Sequence, residues 1–185
     1  MNYQETLDWL FAQLPMYQRM GGANYKIDLE KTHLLMNLLH HPENKFKSIH
    51  VAGTNGKGST SQIITRLLMA HGLKVGTYSS PHLENVRERI HVDGEPIAEI
   101  DFADSVAAVA NAEGIGTVRP SYFEIMTAAA FRWFSDDAVE VAVIEVGMLG
   151  RWDATNVVNP DVAVITNIAL DHTEFAGPTL AHIAT

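Results

Sequence analysis

The sequence predicts an α/β fold, a mostly parallel sheet with flanking helices, and three observations carry that expectation. Residues 139–146 and 162–168 are near-continuous runs rich in Val and Ile, the pattern of strands buried on both faces. Segments with apolar residues at helical spacing alternate with such runs. A glycine-rich stretch, residues 53–60, lies between a short apolar strand and a helix, and in such sheets ligands gather beyond the carboxyl ends of the strands.

The elements follow in order. Tyr3, Leu7, Leu10, Phe11 and Leu14 recur at helical spacing, and Pro15 closes that first helix. Residues 16–26 carry Gly21-Gly22 and little periodicity, so they read as a loop, after which Asp28 caps a second helix through Leu29, Met36 and Leu39 to Pro42. Residues 48–52 form a strand. Residues 57–71 place Ile63, Ile64, Leu67 and Leu68 on one helical face and stop at Gly72, a good C-terminal cap. Residues 74–79 read as a second strand, and Asp93-Gly94 between extended pairs marks a hairpin over 90–97. Residues 101–113 and 121–135 are two more amphipathic helices.

Composition narrows the function. With 185 residues, 46% of them hydrophobic and 19% charged, the chain suits one globular domain with a real core rather than a disordered segment. A formal charge of −9 argues against a broad nucleic-acid footprint, so any anionic ligand must be held locally. Zero Cys excludes a disulfide framework, a thiolate metal site and a cysteine nucleophile. No stretch approaches a membrane span and residues 1–14 carry no basic leader, so the expected address is the cytoplasm.

Three segments beyond strand ends carry polar chemistry. In Gly53-Thr54-Asn55-Gly56-Lys57-Gly58-Ser59-Thr60, glycines let backbone N–H groups converge on a phosphate, and the helix N-terminus and Lys57 add positive charge. Ser59 or Thr60 can bond a phosphate or a metal. A plain glycine turn with an exposed lysine is the alternative, and the strand–loop–helix context favours nucleotide. The spacing is shorter than the standard P-loop, whose first glycine would fall at Val51. Glu145 ends a strand and should reach the same edge as Asp171 and His172. A nucleotide-bound magnesium ion takes few protein ligands, so a carboxylate, a hydroxyl and an imidazole suffice. Each residue taken alone reads as a surface or capping group.

The loop resembles the ATP loop of the Mur ligase superfamily, and its Thr-Asn-Gly-Lys-Gly-Ser core resembles the folate branch, the folylpolyglutamate and dihydrofolate synthases. Ser79-Ser80-Pro81-His82-Leu83 with Arg87-Glu88-Arg89-Ile90, Ile144-Glu145-Val146-Gly147, Arg151-Trp152-Asp153-Ala154-Thr155-Asn156 and Leu170-Asp171-His172 resemble further motifs of that family, in family order. The resemblance implies magnesium ligands Ser80, Glu145 and His172, a catalytic Lys57, and pterin contacts at Trp152, Asp153 and Ala154. Ser121-Tyr122-Phe123-Glu124 resembles a substrate segment, with Phe123 packing on the pterin, yet Ser-x-x-Glu before an apolar helix is equally a capping box. Arg87 and Arg89 could grip phosphate or glutamate; a solvated hairpin is the plainer reading. Two departures stand out: Leu149-Gly150 replaces a pair of glycines, and Asp28-Leu29-Glu30-Lys31 replaces a Gly-Leu-Glu-Arg run, which leaves the pterin contacts around 26–29 open.

The implied reaction is transfer of the ATP γ-phosphoryl to a folate carboxylate, then attack by an amine on the acyl phosphate, with L-glutamate joined to dihydropteroate or to the γ-carboxyl of a reduced folate. His172 then serves as a metal ligand rather than a general base. The rivals are a cell-wall Mur ligase and a nucleotide-binding module without ligase activity. The resemblance further implies that residues 1–185 are an N-terminal ATP-binding domain of the Mur-ligase central type, incomplete and without its C-terminal domain. The run 177–185 resembles the start of a helix leading to a lysine that holds a second magnesium. Such a fragment is expected to be inactive by itself and, with open sheet edge, prone to self-association; a monomeric complete enzyme is compatible with the sequence, which leaves oligomeric state open.

Overall fold

The computed structural model describes residues 1–13 and 29–184. Six strands form one sheet: β1 (Lys47–Ala52), β2 (Val75–Tyr78), β3 (Ile90–Val92), β4 (Glu95–Pro96), β5 (Val141–Glu145) and β6 (Val162–Ile165), in spatial order β4-β3-β2-β5-β1-β6. β2, β5, β1 and β6 run parallel, and β3 and β4 join antiparallel through Asp93 and Gly94, both at positive φ as the hairpin signal requires. The helices are α1 (Tyr3–Ala12), α2 (Glu30–Leu38), α3 (Lys57–Ala70), α4 (Glu99–Ala110), α5 (Ile115–Val118), α6 (Tyr122–Asp136), α7 (Thr173–Ala176) and α8 (Leu180–Ile183). The α/β expectation holds, and the short α5 and α7 are additions too brief for periodicity to show.

Alternation along the strands sorts the core. Tyr78, Ala142 and Ile144 face a large cluster with Leu10, Leu35, Phe102, Phe131 and Phe134, drawn from α1, α2, α4 and α6. Val51, Val75 and Val143 face the other way, under Ile64 and Leu68 of α3. In β1 the buried polar pair Ser48 and His50 points to the first side.

Two expectations need correction. In α3, Ile63 and Leu67 are 61% and 58% exposed, while Ser61 and Thr65 are buried. Thr65 Oγ1 meets Thr77 Oγ1 at 2.8 Å, so small hydroxylated residues bring the helix down on β2, and the apolar residues divide between its inner flank and solvent. β6 is not buried on both faces: Val162 and Ile165 are exposed, because β6 pairs with β1 alone and among the described residues nothing lies beyond it. Leu14, Pro15, the Gly21-Gly22 loop and Asp28 fall outside the described residues. α2 itself is capped at Leu29 without a side-chain bond.

Candidate functional site

The phosphate-type loop emerges from β1 and is held by the segment after β6. Gly53 has φ +132°, and a Cβ there would lie 2.1 Å from Thr166 Oγ1, so only glycine fits. Thr54 N–H donates to Asn167 O (3.0 Å), Asn55 N–H to the Asn167 side-chain oxygen (2.9 Å), and Thr166 Oγ1 to Asn55 O (2.7 Å). Gly56, left-handed at φ +80°, caps α3. Lys57 folds back across the loop, donating to Gly53 O at 2.8 Å. Gly58 lies against Glu145, whose carboxylate would be in ordinary contact, 3.7 Å, with a Cβ at position 58.

Glu145 is 4% exposed at the end of β5 and accepts the Ser80 N–H at 3.3 Å. Burial pushes its pKa up, against the Ser80 N–H and the Lys57 charge, which pull it down. The structure therefore brings Ser80, Glu145 and the start of α3 together. His172 sits elsewhere in the same region: its partner is Asp171, and among the described contacts none joins it to Glu145 or Ser80. It does line, with Gly53, Lys57 and residues 147–152, a cavity of about 400 Å³.

The predicted pterin residues divide. A Cβ on Gly147 would lie 2.5 Å from Phe123 Cζ and 3.0 Å from Asp153 Oδ2, so ring and carboxylate close on this glycine together. Asp153 is 7% exposed and accepts from Met148 N–H (2.8 Å), Thr155 N–H (3.0 Å) and the Thr155 hydroxyl (2.5 Å). Burial raises its pKa, and these bonds together with one from the Gly147 N–H oppose the rise. Ser121 and Glu124 form the capping box of α6. Tyr122 lies under the Arg89 guanidinium at 5.7 Å. Trp152 lines the cavity, half exposed beneath Arg151, while Ala154 is buried in the turn Ala154–Val157.

The arginines are not solvated hairpin residues. Arg89 is buried and donates from Nε to His82 Nδ1 at 2.8 Å; Arg87 donates to Ile97 O and stacks on Tyr3, tying α1 to the hairpin. Leu149, in the place of a glycine, has φ +62°. Sequence reasoning missed Thr166 and Asn167 as braces of the loop and His50 and Thr155 behind Asp153; a Thr-Asn pair ending a strand and a histidine within an apolar strand were the available signals.

A glycine loop opening a helix on a parallel sheet, with a buried carboxylate at the neighbouring strand end, is the architecture of P-loop-type nucleotide-binding domains. Residues 51–185 match the Mur ligase middle domain. The chain is 42% identical over 178 residues to the dihydrofolate synthase/folylpolyglutamate synthase of Mycobacterium tuberculosis, covering 90% of this chain and 37% of that protein, and 38% identical over 187 residues to the Bacillus subtilis protein of the same description, covering 98% and 42%. Among solved structures it is similar to E. coli FolC in complex with DHPP and ADP (TM-score 0.86, 38% identity, 96% of this chain and 42% of that) and to the apo form of L. casei FPGS (0.90, 38%, 100% and 44%). The chain belongs to the Mur ligase family, in its folylpolyglutamate synthase and dihydrofolate synthase branch. It spans about two fifths of the length of these relatives.

Proposed function

We propose that these residues are the ATP-binding part of a cytoplasmic ligase that joins L-glutamate to dihydropteroate or to the γ-carboxyl of a reduced folate through an acyl phosphate. The observation that carries the reading is the end of β5. Glu145 faces the phosphate loop at Gly58, and two residues on, Gly147 faces Phe123 and Asp153. A pterin-bearing acid held at the second place extends toward a nucleotide held at the first, and positioning of that kind is most of what phosphoryl transfer needs from a protein. The similar E. coli FolC, in complex with both DHPP and ADP, supports the pairing of ligands.

Lys57, released from Gly53 O, supplies positive charge to the phosphates. Two neighbours support a magnesium ion: Glu145 is a buried carboxylate whose burial disfavours its own charge, and Ser80, bonded to it through its backbone N–H, carries a hydroxyl. His172, the third ligand the resemblance implies, lines the cavity with Lys57 but among the described contacts has none with the other two. When bound, the ion neutralises charge on the transferring phosphoryl group. Glu145→Gln and His172→Ala are each expected to raise the magnesium requirement of the full-length enzyme; an unchanged titration in both counts against this ligand set. The reaction itself is tested with ATP, magnesium, L-glutamate and, in parallel, dihydropteroate, tetrahydrofolate and a muramyl precursor, reading the product by mass. Turnover of the muramyl precursor alone, or nucleotide binding without any ligation, overturns the proposal.

A further inference from the structure

A buried imidazole in the middle of β1 has no part in the chemistry above. His50 is 7% exposed, paired in register with Ile144 and Ala163, and its Nε2 lies 2.8 Å from Thr155 Oγ1. That hydroxyl lies 2.5 Å from Asp153 Oδ1. Both oxygens of Asp153 already accept backbone N–H groups, Oδ1 from Thr155 and Oδ2 from Met148, so the carboxyl acts as an acceptor. A hydroxyl has one proton to give, and here it goes to Asp153. The Thr155 oxygen then accepts from His50, which requires the proton on Nε2. Burial keeps the ring neutral, lowering its pKa to about 4.

We infer that His50 is a positioning residue for the acceptor site: as the neutral Nε2–H tautomer it fixes the Thr155 hydroxyl, and through it the orientation of the Asp153 carboxylate toward the pterin. The inference rests on Asp153 as a pterin contact. A carboxylate that must meet the adjacent N–H donors of a pterin edge loses selectivity when it is free to turn. His50 never touches substrate. Its effect belongs to acceptor recognition and not to the nucleotide, whose loop lies at the end of the same strand.

The test uses the full-length enzyme, its His50→Leu, His50→Gln and Asp153→Asn variants, dihydropteroate and ADP titrations, and ring-nitrogen NMR of His50. The expected result is an Nε2–H tautomer, at least tenfold weaker dihydropteroate binding in His50→Leu with ADP affinity within twofold, and recovery of most of the loss in His50→Gln, which keeps an N–H donor. An Nδ1–H tautomer, unchanged dihydropteroate affinity in His50→Leu, or a Gln variant as weak as the Leu variant overturns the inference. If His50→Leu fails to fold, the tautomer and the Gln variant decide: Gln must bind dihydropteroate within threefold of the parent. If the parent does not bind dihydropteroate, or Asp153→Asn binds it unchanged, the reading of Asp153 itself falls and the role of His50 falls with it.

Discussion

The face of the sheet that carries Tyr78, Ala142 and Ile144 lies under four helices, whereas Val51, Val75 and Val143 lie under α3, whose outer flank leaves Ile63 and Leu67 in solvent. The two halves of the site inherit this difference. Asp153, Thr155 and His50 are buried and bonded to one another, so the groups proposed for acceptor recognition also hold the fold together there. The phosphate loop opens the helix of the thin face, and Lys57 and Thr54 remain partly exposed. Changes to the partly exposed Lys57 side chain should therefore alter ligand binding alone, and changes on the buried side should alter both.

The sharpest test of that division is Lys57→Ala. We expect ligation by the full-length enzyme to fall at least roughly 1,000-fold, about 4 kcal/mol, with Tm unchanged. Near-normal turnover, or a large drop in Tm, breaks the comparison at its exposed end. The next effect concerns acid. His50 has its pKa lowered from 6.5 to about 4 in the folded chain. Above pH 6.5 both states hold a neutral ring; as pH falls below it, the unfolded chain takes up a proton that the folded chain refuses, and stability is lost until about pH 4. At about 1.4 kcal/mol per pH unit the full loss is on the order of 3 kcal/mol. Denaturant melts of the parent and of His50→Gln between pH 4 and pH 8 should diverge by this amount, and parallel curves would show that the ring is not buried neutral.

Asp153→Ala strips the acceptor from the Met148 N–H and from both Thr155 donors, which should cost about 2 kcal/mol of stability and weaken the pterin acid more than ATP. Equal losses for the two ligands would make Asp153 structural only. The smallest effect expected is at Leu149. Its left-handed backbone costs a side-chain-bearing residue about 1–2 kcal/mol, of which Leu149→Gly recovers about 0.5 kcal/mol after the extra flexibility of the unfolded chain is counted. A rise of about 1–2 °C in Tm is the readout; a fall would mean that the Leu149 side chain packs usefully.

Much of the fold was legible because periodicity and punctuation agreed. Asp93-Gly94 marked its hairpin, Ser121 and Glu124 their capping box, and Gly72 the end of α3, since each signal is local. The misreadings share one cause, that sequence shows which residues are apolar but not what lies opposite them. Ile63 and Leu67 look like core until Thr65 is seen bonded to Thr77, and residues 162–165 look like a central strand until β6 is seen at an edge. In the site, the loop and Glu145 were readable from strand ends. The bracing of Gly53 by Thr166 and the chain from His50 to Asp153 were not, because each joins residues more than a hundred positions apart.

That separation also sets a schedule. The Asn55 N–H finds its acceptor on Asn167, 112 residues later in the chain. A ribosome adding about 5–20 residues per second takes roughly 6–22 s to cover that stretch. During this interval the glycine loop is already made but lacks the strand that shapes it. The loop therefore takes its final shape only once β6 and the residues after it have been delivered beside β1.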